Sequence, residues 1–201
     1  YAGNKRSYMH MIAAEFNWSG ITTFVDPFCG ALGAVLNCNV TEHVKNIEIS
    51  DVNWEIVNLY EQVRDQPQRL EIIFNGLHVD EATYYELRSW DLDSNWRSRD
   101  PVELAARTLY LNKHGFNGLY RINRLGSFNV PWNHSLRDVK LNLSAEHASL
   151  TSLLHNATLA CEHYAGILDR CTLGSLVYCD PPYVDVVVTK RAFSGYVGAF
   201  D

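Results

Sequence analysis

The chain has 201 residues, 47% of them apolar, 12% aromatic and 20% charged, a balance that excludes an intrinsically disordered segment and is enough for one sizeable core, or a core with a small lobe. No run of about 18 apolar residues occurs, so no membrane span is expected. The five cysteines (Cys29, Cys38, Cys161, Cys171, Cys179) are odd in number and lack C-x-x-C spacing, and the histidines show no ligand spacing, so neither a disulfide framework nor a metal site is expected and a reducing compartment is the simplest home. The formal net charge of −6 points away from nucleic acid, but its distribution does not. Between residues 112 and 140, Lys113, Arg121, Arg124, Arg137 and Lys140 stand against Asp138 alone, a local +4. Screening cuts off fields beyond about 8–10 Å, so phosphates respond to such a patch and not to the whole-chain sum. A solvated basic loop is the alternative.

In chain order, residues 7–16 read as a short helix with Ser7 as N-cap. Ile21-Thr22-Thr23-Phe24-Val25 is β-branched and aromatic and ends at Asp26-Pro27, a strand followed by a turn. Residues 31–37 are small and apolar enough to begin a helix, and Asn46-Ile47-Glu48-Ile49-Ser50 reads as a second strand ending at Asp51. Strand, turn, helix, strand is a βαβ unit and implies a parallel sheet with ligands at the carboxyl ends of its strands. After Asp51 the period changes. Trp54, Ile56, Val57, Leu59, Tyr60 and Val63 sit at helical spacing, Pro67 opens a further helix, and Asp100-Pro101 caps and opens another through Leu111. Residues 121–130 look like two short strands around a Gly-containing turn. The sheet resumes at 157–161 and at 175–179, the latter nearly all apolar, as expected of a strand buried on both faces.

The sharpest motif is Asp180-Pro181-Pro182-Tyr183, directly after that last strand. An aromatic exocyclic amine is a poor nucleophile because its lone pair is delocalised into the ring. A carboxylate (Asp180) and a carbonyl (Pro181) can each accept one of its N–H bonds and stabilise the charge that develops on attack. The prolines stiffen the turn, and Tyr183 offers a flat face for a base. A structural Pro-Pro turn is the alternative. A second turn after a strand, Asp26-Pro27-Phe28-Cys29-Gly30-Ala31-Leu32-Gly33, lets a ligand approach the backbone but lacks the full dinucleotide fingerprint; a plain strand-to-helix turn fits it as well. Asp51, at the next strand end, is where an acid can take both hydroxyls of a ribose. In residues 112–121, glycines flank Phe116 and Asn117 and lead to Arg121; Arg reads guanine edges, Asn reads base edges, and an aromatic or Leu side chain can wedge into an unstacked step.

Taken together these motifs resemble the Dam-type (D12 class) adenine-N6 DNA methyltransferases over nearly the whole chain. Tyr1-Ala2-Gly3-Asn4-Lys5 is similar to the family's opening motif, Asp26-Pro27-Phe28-Cys29-Gly30 to its cofactor loop, Asp51 to its ribose-binding acid, residues 116–121 and 126–131 to its DNA-reading segment, and residues 180–183 to its catalytic motif. The resemblance implies S-adenosylmethionine as cofactor, double-stranded DNA as partner and a GATC-like target whose adenine is flipped out. It further implies that Tyr1, Lys5, Asp26, Phe28, Gly30, Asp51, Tyr164 and Asp180 hold the cofactor and that Asp180, Pro181, Pro182 and Tyr183 carry catalysis. Lys113, Phe116, Asn117, Leu119, Arg121, Asn129 and Pro131 would contact DNA. Two departures stand out: Trp132-Asn133 follows Val130-Pro131, where many relatives have an aromatic and then Gly, and His163-Tyr164 replaces Asp-Phe beside the cofactor adenine.

The expected architecture is α/β: a Rossmann-like S-adenosylmethionine-dependent methyltransferase sheet (residues 1–52 and 146–201) with a helical plus β-hairpin target-recognition insertion (residues 53–145). The family continues through further strands, so a C-terminally incomplete catalytic domain is expected, in a bacterial or phage-infected cytoplasm and as a monomer, with a dimer as alternative. Methylation of another planar amine (cytosine N4 or a protein glutamine amide) and a DNA-binding module without catalysis remain as rivals.

Overall fold

The structure, a computed structural model, describes residues 6–143 and 148–181. A tight turn at Arg6–Tyr8 leads into α1 (Met9–Ala14). Ser7 is not the cap expected of it: the 3₁₀ turn comes before the α-helical bonding, so Tyr8 takes the N-cap position, with no side-chain cap bond.

Four strands, β1 (Thr23–Asp26), β2 (Asn46–Asp51), β3 (Ala157–Cys161) and β4 (Ser175–Val177), form a parallel sheet in the order β3-β2-β1-β4. The short helices α2 (Gly33–Asn37) and α3 (Val40–His43) connect β1 to β2. The central strands are β-branched and aromatic where they are most enclosed: Phe24, Val25, Ile47 and Ile49 are all buried. Pairing continues past β4, because the Tyr178 amide donates to the Val25 carbonyl at 2.9 Å. A parallel sheet brings its carboxyl ends to one edge, so Asp26, Asp51, Cys161 and the segment leading to Asp180 converge there. Burial on both faces of the last strand, expected from its apolar run, is corrected by the structure. Val177 is 37% exposed, Ser175 and Leu176 are only half-buried, and among the described residues β4 pairs with β1 alone.

The middle of the chain is helical: α4 (Trp54–Asp65), α5 (Pro67–Gly76), α6 (Glu81–Ser89) and α7 (Pro101–His114). Each boundary has a local cause. The Asn53, Asp80 and Asp100 side chains accept amides of the first turns of α4, α6 and α7, and Pro67 and Pro101 open their helices where a missing N–H costs nothing. α7 is the hub against which α4, α5 and α6 pack, with Ala105 and Ala106 fully buried at the contacts. α4 also lies on β2, β3 and α8 (Ala148–His155), and so joins the sheet to the helical layer.

The expected hairpin at 121–130 is present as a chain reversal, but without two continuous strands. It is closed by an isolated bridge between Ile122 and Phe128 and by bonds from the Asn123 amide to Ser127 (2.8 Å) and from the Asn129 amide to Arg121 (2.9 Å). The backbone groups of Phe128 face away from the opposite side of the hairpin and are taken by side chains: its amide donates to Asp91 (2.7 Å) and its carbonyl accepts from Arg88 Nε (3.1 Å).

Candidate active site

The site is built on the turns that leave β1, β2 and β4. Asp26 is 1% exposed, and one of its carboxylate oxygens accepts the Phe28 amide at 3.2 Å. The turn then passes through Cys29, whose amide bonds Ser50 at 3.0 Å, to Gly30, which has a left-handed φ of +42°. An added Cβ at Gly30 would meet only the Phe28 carbonyl, at 3.8 Å, so backbone conformation rather than crowding calls for glycine there. The Asp51 carboxylate clasps the turn from the neighbouring strand: one oxygen accepts Gly30 N–H at 3.0 Å and the other accepts Asn53 N–H at 2.8 Å. The Tyr60 hydroxyl, from α4, donates to the Gly30 carbonyl.

Beside this acid-lined turn stands an aromatic wall. The Phe28 ring lies 5.4 Å from Tyr164, the first residue of α9 (Tyr164–Leu168), and Tyr164 packs against His163 at 4.2 Å. Asp180 follows β4, is half-buried, and is close enough for its charge to act on Asp26.

Three carboxylates at one edge shape the electrostatics. Burial pushes the Asp26 carboxyl up to about 7, opposed by the Phe28 amide and reinforced by the charges of Asp51 and Asp180. Burial also raises Asp51, against the lowering effect of its amide partners at Asn53, Gly30 and Val52. The Cys29 thiol is pushed up by burial and by the two acids, which makes it an inert filler rather than a nucleophile. Among the described residues no Lys or Arg forms a salt bridge with Asp26 or Asp51. Ser50 Oγ and Asn53 Nδ2, buried next to Asp51, have no hydrogen-bond partner among the described residues. Buried acids, a glycine turn, a flat aromatic wall and polar atoms without a partner among the described residues can together receive a ligand that is cationic, bears hydroxyls and ends in a planar ring.

The second group of expected residues runs from the end of α7 through the hairpin to Pro131. Phe116 is half exposed, Asn117 is exposed with φ 55°, Leu119 is half-buried, and Lys113 and Pro131 are exposed. The Phe116 amide bonds the Pro131 carbonyl at 2.9 Å, so the two sides of this segment are tied together. Arg121 is braced by Asn129, with Nε 2.7 Å from Oδ1 and Nη2 3.2 Å from the Asn129 carbonyl. Of the five cations in the basic segment Lys140 pairs with Asp138; the other four form no salt bridge among the described residues. Tyr1, Lys5, Pro182 and Tyr183 lie outside the described residues.

Sequence reasoning missed Tyr60 and the buried charges Glu55, Asp91 and Arg107. One signal was available for Arg107: it falls on the same helical face as Leu104 and Leu111, both 1% exposed.

The family model for the D12 class N6 adenine-specific DNA methyltransferases matches residues 1–200, and the chain belongs to that family. The DNA adenine methylase of Escherichia coli K12 is 32% identical over 184 residues, which cover 88% of this chain and 61% of the relative. The type II methyltransferase M.MjaIII of Methanocaldococcus jannaschii is 30% identical over 210 residues, 98% of this chain and 71% of the relative. M1.LlaDCHI of Lactococcus lactis subsp. cremoris, another type II methyltransferase, is 32% identical over 179 residues, 86% and 60% respectively. The chain therefore spans less than two thirds of the length of the E. coli and Lactococcus relatives. Family membership implies a methyl donor. Among the described residues no helix is long and apolar enough to cross a membrane, and no group of three or more His, Cys, Asp or Glu side chains is arranged to hold a metal ion.

Proposed function

We propose that the protein methylates N6 of adenine in duplex DNA, using S-adenosylmethionine, within a GATC-like site. The observation that carries the reading is the convergence of Asp26, Asp51 and Asp180 on one sheet edge, where burial and the two neighbouring carboxylates raise Asp26 to about 7. S-adenosylmethionine supplies an electrophilic methyl group on a sulfonium and, when bound, a positive charge beside those acids. In this reading Asp51 takes the ribose hydroxyls, the turn from Asp26 to Gly30 lines the methionine end, and Phe28 and Tyr164 flank the adenine ring. Tyr1 and Lys5 complete the set by family resemblance.

The target amine is occupied in base pairing, so the base has to leave the stack to be reached. Asp180 and the Pro181 carbonyl then each accept one N–H of the amine. This draws its lone pair out of conjugation, directs it along the line of attack, and stabilises the positive charge that grows on nitrogen. Pro182 stiffens the turn and Tyr183 stacks on the extruded base, an interaction of roughly 1–3 kcal/mol. Residues 53–145 act as the target-recognition insertion on a catalytic unit of residues 1–52 and 146–201. Within the insertion Phe116, Asn117 and Leu119 fill or flank the vacated step, Arg121, held by Asn129, reads a guanine, and Lys113 and Pro131 border the duplex.

The test is transfer of labelled methyl from S-adenosylmethionine to duplexes with and without GATC. N6-methyladenine in the GATC duplex alone is the expected product. Label on cytosine, on protein, or equally on both duplexes would overturn the substrate or the site, and binding of neither S-adenosylmethionine nor DNA would overturn the reading as a whole.

A further inference from the structure

The most deeply buried charge in the described residues lies among the helices and plays no part in the chemistry above. Arg107, on α7, is 0% exposed. Its guanidinium pairs with Glu55 of α4 at 2.5 Å and with Asp91 at 2.9 Å, donates to the Leu87 and Arg88 carbonyls at 2.8 and 3.3 Å, and lies 5.0 Å from the Trp96 ring centroid. Both carboxylates also reach the hairpin. Glu55 accepts the Tyr120 hydroxyl through its other oxygen, and Asp91 accepts the Phe128 amide at 2.7 Å. The Tyr120 and Phe128 rings meet edge to face at 5.6 Å. The contacts close a ring: Glu55, Arg107, Asp91, Phe128, Tyr120 and back to Glu55.

Two chain adjacencies give this ring a consequence. Tyr120 precedes Arg121 and Phe128 precedes Asn129, and Arg121 and Asn129 hold each other side chain to side chain and side chain to backbone. Each side of the stem thus has an anchor turned into the ring next to a residue of the reading pair. On the other side the ring reaches the ligand acid in two steps: Asn53 N–H donates to Asp51, and Glu55 N–H donates to the Asn53 side chain at 3.1 Å. An apolar cluster would fill the same space without the desolvation cost of three charges, but it would fix no particular orientation of the hairpin.

We propose that Tyr120 is a positioning residue for target discrimination: its hydroxyl, anchored on Glu55, sets the height and orientation of Arg121 relative to the Asp51 end of the sheet. The proposal rests on the reading that Arg121 contacts a base. Tyr120→Phe is the probe, since it keeps the ring and its contact with Phe128 and removes only the anchoring hydroxyl.

Two measurements test it on the whole chain. Hydrogen exchange in the free protein should quicken at the amides of Asn123, Phe128 and Asn129 while the buried amides of α7 stay as slow as in the unmutated protein. The affinity ratio between a GATC duplex and one with its guanine replaced should fall about fivefold, the scale of one ordinary net hydrogen bond. That fall should vanish when Tyr120→Phe is made on top of Arg121→Ala, because a positioning residue has nothing left to position. An unchanged ratio, an equal fall with and without Arg121, or unchanged hairpin exchange would each overturn the proposal. An unmutated protein that binds both duplexes alike would instead overturn the base-reading role of Arg121, on which the proposal stands.

Discussion

Gly30 donates its backbone N–H to the Asp51 carboxylate at 3.0 Å, so the turn after β1 and the end of β2 form one structure although 21 residues separate them. The same carboxylate accepts the Asn53 amide and thereby also sets the start of α4. Asp51 thus shapes the loop from the neighbouring strand.

Asp51→Asn should therefore lower the affinity for S-adenosylmethionine at least about tenfold, since an amide can present an oxygen to only one of the two N–H groups and turns a competing donor toward the other. Equilibrium dialysis with the labelled cofactor measures this. Affinity within twofold of the unmutated protein would remove Asp51 from the ligand site.

Asp26 makes stability depend on pH in a definite direction. Its folded-state pKa is about 7 against an ordinary 3.8, so the folded chain holds a proton that the unfolded chain releases. Its contribution to stability is full below about pH 4, declines as pH rises, and is gone above about pH 7. Asp26→Asn should abolish this slope and make the protein more stable than its parent near pH 8 by roughly 1–4 kcal/mol, the upper figure being the full shift converted to free energy. Urea unfolding at acidic and alkaline pH checks it; equal slopes in both proteins would contradict the assignment. The same substitution should weaken cofactor binding.

Asp180→Ala should leave duplex binding within about threefold and reduce methyl transfer by at least about a hundredfold, the usual scale for removing one preorganised electrostatic partner of the reacting group. Gel-shift and single-turnover measurements separate the two effects. Weak binding with normal turnover would assign Asp180 to DNA rather than to chemistry.

Gly115→Ala should destabilise the fold by about 1–3 kcal/mol. A Cβ there would lie 2.5 Å from the Leu111 carbonyl and 3.0 Å from the Tyr84 hydroxyl, although the Gly115 φ is an ordinary −80°. Tyr84 is buried and itself bonds the Val130 carbonyl at 3.0 Å, so it has little room to give. The hairpin should lose protection against exchange with the helix end; a variant as stable as its parent would show that the segment shifts freely.

The sequence by itself determined what acts over short stretches of chain. Caps and breakers mark helix ends within about four residues, which is why Pro67, Asp100 and Pro101 were legible. Strand composition marked β2 and β3, and the order of five short motifs marked the family and the ends of the strands where Asp26, Asp51 and Asp180 fall. Tertiary structure decided what depends on distance between remote residues. Arg107 meets a Glu 52 residues away and an Asp 16 residues away, and no local pattern encodes such a ring. Asp26 rises to about 7 only because folding removes water and brings two more carboxylates near it. Among the described residues β4 pairs with β1 alone, and the hairpin is fastened to the helical layer by Asp91 and Arg88, which take the outward backbone groups of Phe128. Propensity and capping are properties of neighbouring residues, whereas desolvation, like-charge repulsion and bonds between remote side chains and backbone depend on packing, which exists only in the folded chain.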